Sequence, residues 1–448
     1  MFKKFTMMFA LVALMAAPAF ASVQNVKISG SLATTSVIRK SFDLGAVTTP
    51  ASQTEQNIVA TTTSVGVAAD LTDNVSTKIK LTNEGAWGLQ NAAGNSDNNS
   101  FYLDEAYVTM KELLYTPLTV TVGRQTLAYG NQFLIGYNGG NKNYYSGVAT
   151  DLAGNGNFDA VKAVLSYEAL TVDVFASKIN ENTNLGNNDS DDTDLYGINA
   201  NYKLGDKMST VVEAYTFAKN DKNSIAYPAT KAANLYVPGL RVSTNPIEGL
   251  NVQMEGAYEL GSGYSTSGLT DTLSAYGLQG KVNYALPVLK DVKPVLSAGY
   301  TYLTGEKDPA SIGVTANKST AFQPLYENQN VGRIFDSLFT ASNLSLVEAS
   351  AEVTPIQDLT AKLSWYNVAK AQKAAITSIN QPTSAAGQAV GGSTSKALGN
   401  EVDLDLSYAY TEDVKFGVSA GYFAPNKAFN SLNKDSASQL LSSVSVAF

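Results

Sequence analysis

The 448-residue chain contains neither cysteine nor histidine. Without cysteine there can be no disulfide framework and no thiolate metal site. Without histidine the commonest general base and metal ligand is missing, so histidine-dependent catalytic triads are excluded. No metal or other cofactor is expected, and a barrel enzyme would have to assemble a catalytic cluster from other residues. Positive charge is also scarce, with 31 Lys and Arg against 39 Asp and Glu for a formal charge of −8. No basic stripe could track a phosphodiester backbone, so nucleic acid is ruled out as a partner. Beyond the first two dozen residues nothing approaches the roughly twenty consecutive apolar residues of a transmembrane helix.

What is present instead is a period of two. Stretches of about ten residues alternating apolar with small or polar side chains recur about eighteen times. In residues 75–81, Val75, Thr77, Ile79 and Leu81 take one face while Ser76, Lys78 and Lys80 take the other, because successive strand residues point to opposite sides. A charged face cannot be a sandwich core. Only helices and closed barrels satisfy their own backbone in lipid, so the pattern predicts an all-β, up-and-down transmembrane antiparallel β-barrel of about 18 strands.

The breaks alternate in length. Short ones at 72–74, 115–117, 168–169, 205–207, 245–249, 287–294, 355–358 and 412–413 carry Pro, Gly, Asn or Asp and read as periplasmic turns. Longer ones at 41–56, 85–100, 130–157, 181–193, 220–233, 261–270, 305–342, 371–399 and 425–436 read as extracellular loops. The first strand could end anywhere from Leu32 to Lys40, and Pro238-Gly239 interrupts residues 234–243 like a bulge.

Both ends of the chain carry targeting signals. Lys3 and Lys4, the apolar residues 5–17 and Ala19-Phe20-Ala21 read as a secretory signal peptide over 1–21, leaving 22–448 as the barrel domain. Leu440, Val444, Val446 and Phe448 share one face of the last segment, and an aromatic terminal residue resembles the insertion signal read by the barrel-assembly machinery. The expected location is the outer membrane of a Gram-negative-type bacterium, with outer-membrane lipid as the surrounding partner.

Taking the apolar parity of each strand as lipid-facing sends Arg39, Lys78, Lys80, Glu105, Lys162, Arg241 and Lys281 into the lumen as candidate selectivity residues, with Asp70 completing a ladder beside Lys78 and Lys80. Tyrosines such as Tyr202, Tyr258, Tyr300, Tyr408 and Tyr422 fall near strand ends, as an aromatic girdle requires. Simple alternation would put Arg124 in lipid. Because Leu127 and Tyr129 suggest a change of face, a bulge at Gly123 is expected to turn Arg124 inward against Glu105. The third long loop carries Phe133, Tyr137, Asn138, Lys142, Tyr144 and Tyr145 and is the candidate constriction, suited to saccharide contact or to self-packing. Residues 305–342 and 371–399 are rivals for that role. The acidic stretch 187–194 lacks EF-hand spacing and reads as solvated loop.

Residues 101–108 (FYLDEAYV), 118–125 (LTVTVGRQ), Tyr129-Gly130, Phe158-Asp159-Ala160-Val161, 322–326 (FQPLY) and Asn343-Leu344 occur in an order that resembles the alginate-export family of outer-membrane porins. The resemblance implies a single-chain, eighteen-stranded barrel that passes solutes passively. The expected function is therefore a porin for small hydrophilic solutes, saccharides among them, and the competing one is a structural or adhesive barrel whose loops plug the lumen.

Overall fold

A strand pattern that hides charge on one face and exposes apolar groups on the other is stable only if the sheet closes on itself around water. In the computed structural model it does. Described are residues 24–42, 44, 55–88, 101–136, 152, 156–181, 192–222, 233–264, 270–306, 318–329, 331–339, 341–373, 395–429 and 435–448. The signal-peptide segment lies outside them.

The wall comprises β1 (Gln24–Lys40), β2 (Glu55–Thr72), β3 (Val75–Ala86), β4 (Tyr102–Met110), β5 (Leu118–Gln125), β6 (Phe158–Ser166), β7 (Leu170–Asn180), β8 (Thr193–Lys203) and β9 (Val211–Asp221). It continues with β10 (Ala233–Ile247), β11 (Leu250–Tyr264), β12 (Thr270–Ala285), β13 (Val295–Leu303), β14 (Leu344–Ile356), β15 (Leu359–Lys370), β16 (Ala397–Ala409), β17 (Val414–Pro425) and β18 (Ala437–Ala447). Each strand pairs antiparallel with its sequence neighbours, and β1 pairs with β18, giving a closed 18-strand barrel. A two-residue segment, Lys318–Ser319, adds a parallel pairing on β12 inside this meander.

Closure runs from Ser31 opposite Ala447 to Lys40 opposite Ser438. Phe448 extends it by exchanging two main-chain hydrogen bonds with Gly30, of 2.9 and 3.0 Å. Its ring lies over Gly30, where an added Cβ would stand 2.4 Å from Cζ. Gly30 is thus the notch that lets the terminal aromatic ring seal the seam.

Outside, Ile28, Val65, Ile79, Leu240, Met254, Leu363 and Leu404 are exposed, as a lipid-facing surface demands. Tyr202, Tyr258, Tyr300, Tyr408 and Tyr422 join them, together with Tyr196, Tyr236, Trp87 and Trp365. Pro238 does not bulge the strand: β10 pairs with β9 straight through it, and on β11 the same register resumes at Gly239 after Val237 and Pro238 go unpaired. The register of β10 on β11 shifts only further on, between Thr244 and Ile247, and a separate bulge lies on β4, where Lys80 pairs with Glu105 but Leu81 pairs with Leu103. Asp104 is the extra residue, and this bulge turns Asp104 and Glu105 to the same side.

The interior is not uniformly polar. A large apolar cluster fills part of it, contributed by Phe158, Phe175, Phe217, Leu344 and Phe423 of the wall and by Leu127, Phe133, Ile135, Phe322, Ile334 and Phe335 from between strands. Each such burial is worth roughly 1.5–3 kcal/mol. The cluster takes wall residues from β6 through β18 and, among the described residues, none from β1–β5.

Gly30→Val should push the Phe448 ring off the seam and cost about 1–3 kcal/mol, as overpacking does. The expected readout is a lower unfolding midpoint of the purified barrel by heat-modified gel mobility, with outer-membrane levels falling in parallel for Phe448→Ala.

Candidate functional site: the barrel lumen

The lumen is shaped by two segments that leave the wall and return to it. After β5 the chain stays inward: Gln125, Leu127 and Tyr129 are all buried, on the same parity as Thr121. Gly130 then turns with φ +58°, close against the Arg241 side chain, and donates its N–H to Glu213 Oε1 at 3.1 Å. Only glycine takes that conformation without cost in so tight a place. Residues 132–136 run beside residues 326–328, with Tyr326 N donating to Leu134 O, Gly136 N to Tyr326 O and Asn328 N to Gln132 O. Side chains tie the same pair, Gln329 Nε2 donating to Asn131 O at 2.7 Å and Asn328 Nδ2 to Gln132 Oε1 at 2.8 Å. Gln279 of β12 bonds both segments, accepting from Asn131 and donating to Gln329. Phe133 packs on Phe322 beneath this junction.

The third loop also reaches the far side. Leu152 packs against the inward pair Ala60 and Ala86 of β2 and β3 and against the cluster of Val37 and Leu441 on β1 and β18, at the extracellular ends of these strands. Of the loop's sequence-nominated residues only Phe133 can be placed; Tyr137, Asn138, Lys142, Tyr144 and Tyr145 lie outside the described residues.

Carboxylates on the wall hold the second segment by its backbone. Glu259 Oε2 accepts from Gln323 N at 2.8 Å. Glu401 accepts from Ile334 N and Phe335 N at 2.6 and 2.8 Å, the two donors that open a single helical turn, Phe335–Leu338. Asp403 accepts from Arg333 N at 3.1 Å, and the Arg333 guanidinium reaches Asp405 at 2.9 Å. Buried N–H groups need such partners because the apolar plug offers no water. Tyr129 is treated in the opposite way: burial, reinforced by Asp173 and Glu213, pushes its hydroxyl far above the usual phenol range, so it stays protonated within the plug.

Placement of the remaining candidates follows strand parity. Lys78 pairs with Glu105 at 2.6 Å and Lys80 with Asp104 at 2.8 Å. Asp70 is not in that ladder; it accepts from Asn25 Nδ2 at 3.2 Å. Arg241 meets Glu213 at 3.2 Å and Gln253 at 3.0 Å, and Lys281 meets Glu348 at 3.3 Å. Lys162 stands opposite Thr121 on the inward face. Arg39 is buried, donating to Gln439 at 2.6 Å and lying 4.4 Å over the Phe42 ring, so it pins the base of the first loop.

Arg124 corrects the sequence reading. Its alternation partner Gln125 is buried while Arg124 is not, and Arg124 sits opposite Asp159, itself exposed between the buried Phe158 and Ala160. Arg124 therefore points outward, bonding Asp159 twice, at 2.8 and 2.6 Å, and Leu103 O at 2.9 Å. Glu105 belongs to Lys78 instead. Gly123 does have φ +125°, and a Cβ there would lie 2.1 Å from Ala106 O, but the strand does not change face at it. The expectation fails because it requires Leu127 and Tyr129 to face lipid, whereas they face an apolar plug inside the barrel.

Beside the plug two hydrophilic surfaces remain. One is the inner face of β1–β5, lined by Ser31 bonded to Ser64, Lys78, Lys80, and Thr109 bonded to Thr121. The other is a cavity of about 240 Å³ lined by Asn131, Asn283, Asn328, Gln329, Tyr366, Lys281 and Lys362 among others. The wall carboxylates Glu259, Glu401 and Asp403 are anchors that strand parity alone does not reveal. Their signal in sequence is the apolar richness of residues 322–339, which must fold inward and bring backbone donors with it.

Glu401→Ala should orphan two buried N–H groups, at about 1–3 kcal/mol each. The expected result is noisier and larger single-channel currents, with new protease cuts between residues 331 and 339; unaltered current and digestion would mean that the anchor is dispensable.

Comparison with known proteins follows the same architecture. The family model described as alginate export matches residues 31–441. A search of curated proteins found no significant match. Among solved structures, OccK11 (OpdR) of Pseudomonas aeruginosa superposes with TM-score 0.56 at 11% identity, covering 94% of this chain and 96% of that one. OccAB1 of Acinetobacter baumannii gives 0.57 at 12%, covering 97% and 99%, and OprD of Pseudomonas aeruginosa gives 0.53 at 9%, covering 96% and 97%. These likenesses are of fold. With a closed barrel, an infolded third loop and a family match running from the first strand into the last, the chain belongs to the alginate-export family of outer-membrane porins.

Proposed function

We propose that the protein lets small hydrophilic solutes, neutral saccharides foremost, diffuse passively across the outer membrane, past a constriction that the third loop makes together with residues 318–339. The observation that carries this reading is the one-sidedness of the plug. Its main apolar cluster takes wall residues from β6–β18; on β1–β5 only the extracellular ends meet Leu152, and below that contact the inner face is left to serine, threonine and lysine, a surface that favours water. The 240 Å³ cavity supports the saccharide part, because its amides, serines and Tyr366 offer both donors and acceptors at close spacing. Polyanionic polysaccharide is less well served: the arginines are Arg39, Arg124, Arg241 and Arg333, and three of them are committed to pins or ion pairs facing inward. Passive diffusion needs no cofactor and no catalytic group.

Planar-bilayer recording is the test. Discrete conductance is expected, and deleting residues 132–136 should enlarge it. Silence of both the parent and the deletion would favour the plugged, adhesive alternative. In proteoliposome swelling, monosaccharides should enter faster than disaccharides, and both faster than uronic acids.

Lys362 lines the cavity and has no ion pair among the described residues. Lys362→Glu should shift the reversal potential in a salt gradient toward cations, whereas Arg124→Gln, on the outer surface, should leave it unchanged.

A further inference from the structure

Glu401, Asp403 and Asp405 occupy alternate positions of β16 and form one inward row, and the turn that docks on them, residues 332–338, offers a single cation. That cation is Arg333, and its guanidinium is taken by Asp405. Glu401 and Asp403 have no ion pair among the described residues. They are 0% and 2% exposed, and Ile334, Phe335 and Phe423 beside them are fully enclosed as well.

The surroundings supply no other compensating charge. From β15, Tyr366 faces Glu401, Ser364 faces Asp403 and Lys362 faces Asp405, and behind Tyr366 stands Glu348 of β14, paired with Lys281. From β17 the facing residues are Phe423, Gly421 and Ser419, all neutral. On the docked turn the one charge besides Arg333 is Asp336, which is exposed. Glu401 accepts two backbone N–H groups and Asp403 accepts one on Oδ2, while Asp403 Oδ1, lying against Gly421, is enclosed and has no donor. The two carboxyl groups are within hydrogen-bonding reach of each other. Two acceptors so placed, in a dry pocket and without a cation, need a hydrogen between them.

We propose that Glu401 and Asp403 share one proton, and that its loss at alkaline pH releases residues 332–338 from the wall and widens the pore. With the proton in place the pair carries one negative charge, faced by three backbone donors, and the turn Phe335–Leu338 is held. Without it two like charges meet in an apolar pocket, and water reaches them only when the turn lifts away. A proton held in the docked state and released in the lifted one makes docking strongest at low pH and weaker as pH rises. Gly332 allows the close approach on which this depends: its φ is +95°, and a Cβ there would stand 2.7 Å from the Glu401 carboxylate. The widening rests on the reading that residues 318–339 narrow a conducting pore, whereas the release of the turn does not.

Single-channel current is recorded in planar bilayers as the pH is raised from about 5 to about 9, the interval between ordinary carboxyl and phenol titration. The fraction of time in the wide state should rise about tenfold per pH unit before it saturates, the slope of one proton released per opening. In Asp403→Asn the amide gives Glu401 a permanent N–H donor while its oxygen still accepts from Arg333 N, so the narrow state should persist across the interval. Limited proteolysis at the same pH values reads the turn directly: cuts between residues 331 and 339 should appear in the parent at alkaline pH and stay absent from the variant. Heat-modified gel mobility confirms that the variant is folded, and if it is not, Glu401→Gln, which donates from the other side of the pair, takes its place. Current and digestion that do not change with pH in the parent, or a variant profile that matches the parent's, would overturn the proposal. A silent barrel whose turn is cut only at alkaline pH, and only with both carboxyls present, would uphold it and count against the conducting pore instead.

Discussion

Everything in this molecule depends on the absence of water around its outer surface. A backbone amide facing hydrocarbon has no partner except another strand, so the ladder has to close, and the β1–β18 pairing with Phe448 clamped over Gly30 is where it does. Once closed, the wall is a fixed frame in which every second side chain points inward. What those inward side chains are then decides what the interior can hold.

Here they divide the interior in two. From β6 to β18 the wall presents aromatic and aliphatic groups interspersed with carboxylates, and the two infolded segments match both: their apolar side chains join the cluster while their N–H groups bond Glu213, Glu259, Glu401 and Asp403. An anion that accepts from backbone amides satisfies polar atoms that a dry plug would otherwise strand. From β1 to β5 the wall presents serine, threonine and ion-paired lysine, and only Leu152 of the third loop meets it, at the extracellular ends of β1–β3. The Asp104 bulge fits this division, because it brings two adjacent carboxylates inward to neutralise Lys78 and Lys80.

The barrel was legible in the sequence because a period of two with charge on one face admits few structures. Strand number, antiparallel order and the alternation of short and long connections all follow from it. The wall side of Lys78, Lys80, Arg241 and Lys281 is legible for the same reason. Arg124 was not, and the cause is specific. Parity arguments assume that apolar means lipid, yet Leu127, Tyr129 and Phe158 are apolar and face inward, since a segment joined to the third loop across 196 and 198 positions of chain supplies an apolar lining. Periodicity is local and cannot register such a lining. Nor can it separate Asp104 from Glu105, where one inserted residue alters the face.

The junction between the two infolded segments has a consequence in time. Gln329 bonds Asn131 across 198 positions of chain, and all strands from β6 to β13 are formed from the residues between. Contacts so distant are reached later than the hairpins of the wall, and the β1–β18 seam, whose two strands stand at the two ends of the barrel sequence, spans more chain still. Plug and seam are therefore the two longest closures in the fold, and they draw on different residues: the Phe448 ring over Gly30 for one, Phe133, Phe322 and the amides of Asn131 and Gln329 for the other. A change of shape or chemistry in the plug leaves the seam as it is, so the terminal ring and the loop interior answer to separate requirements.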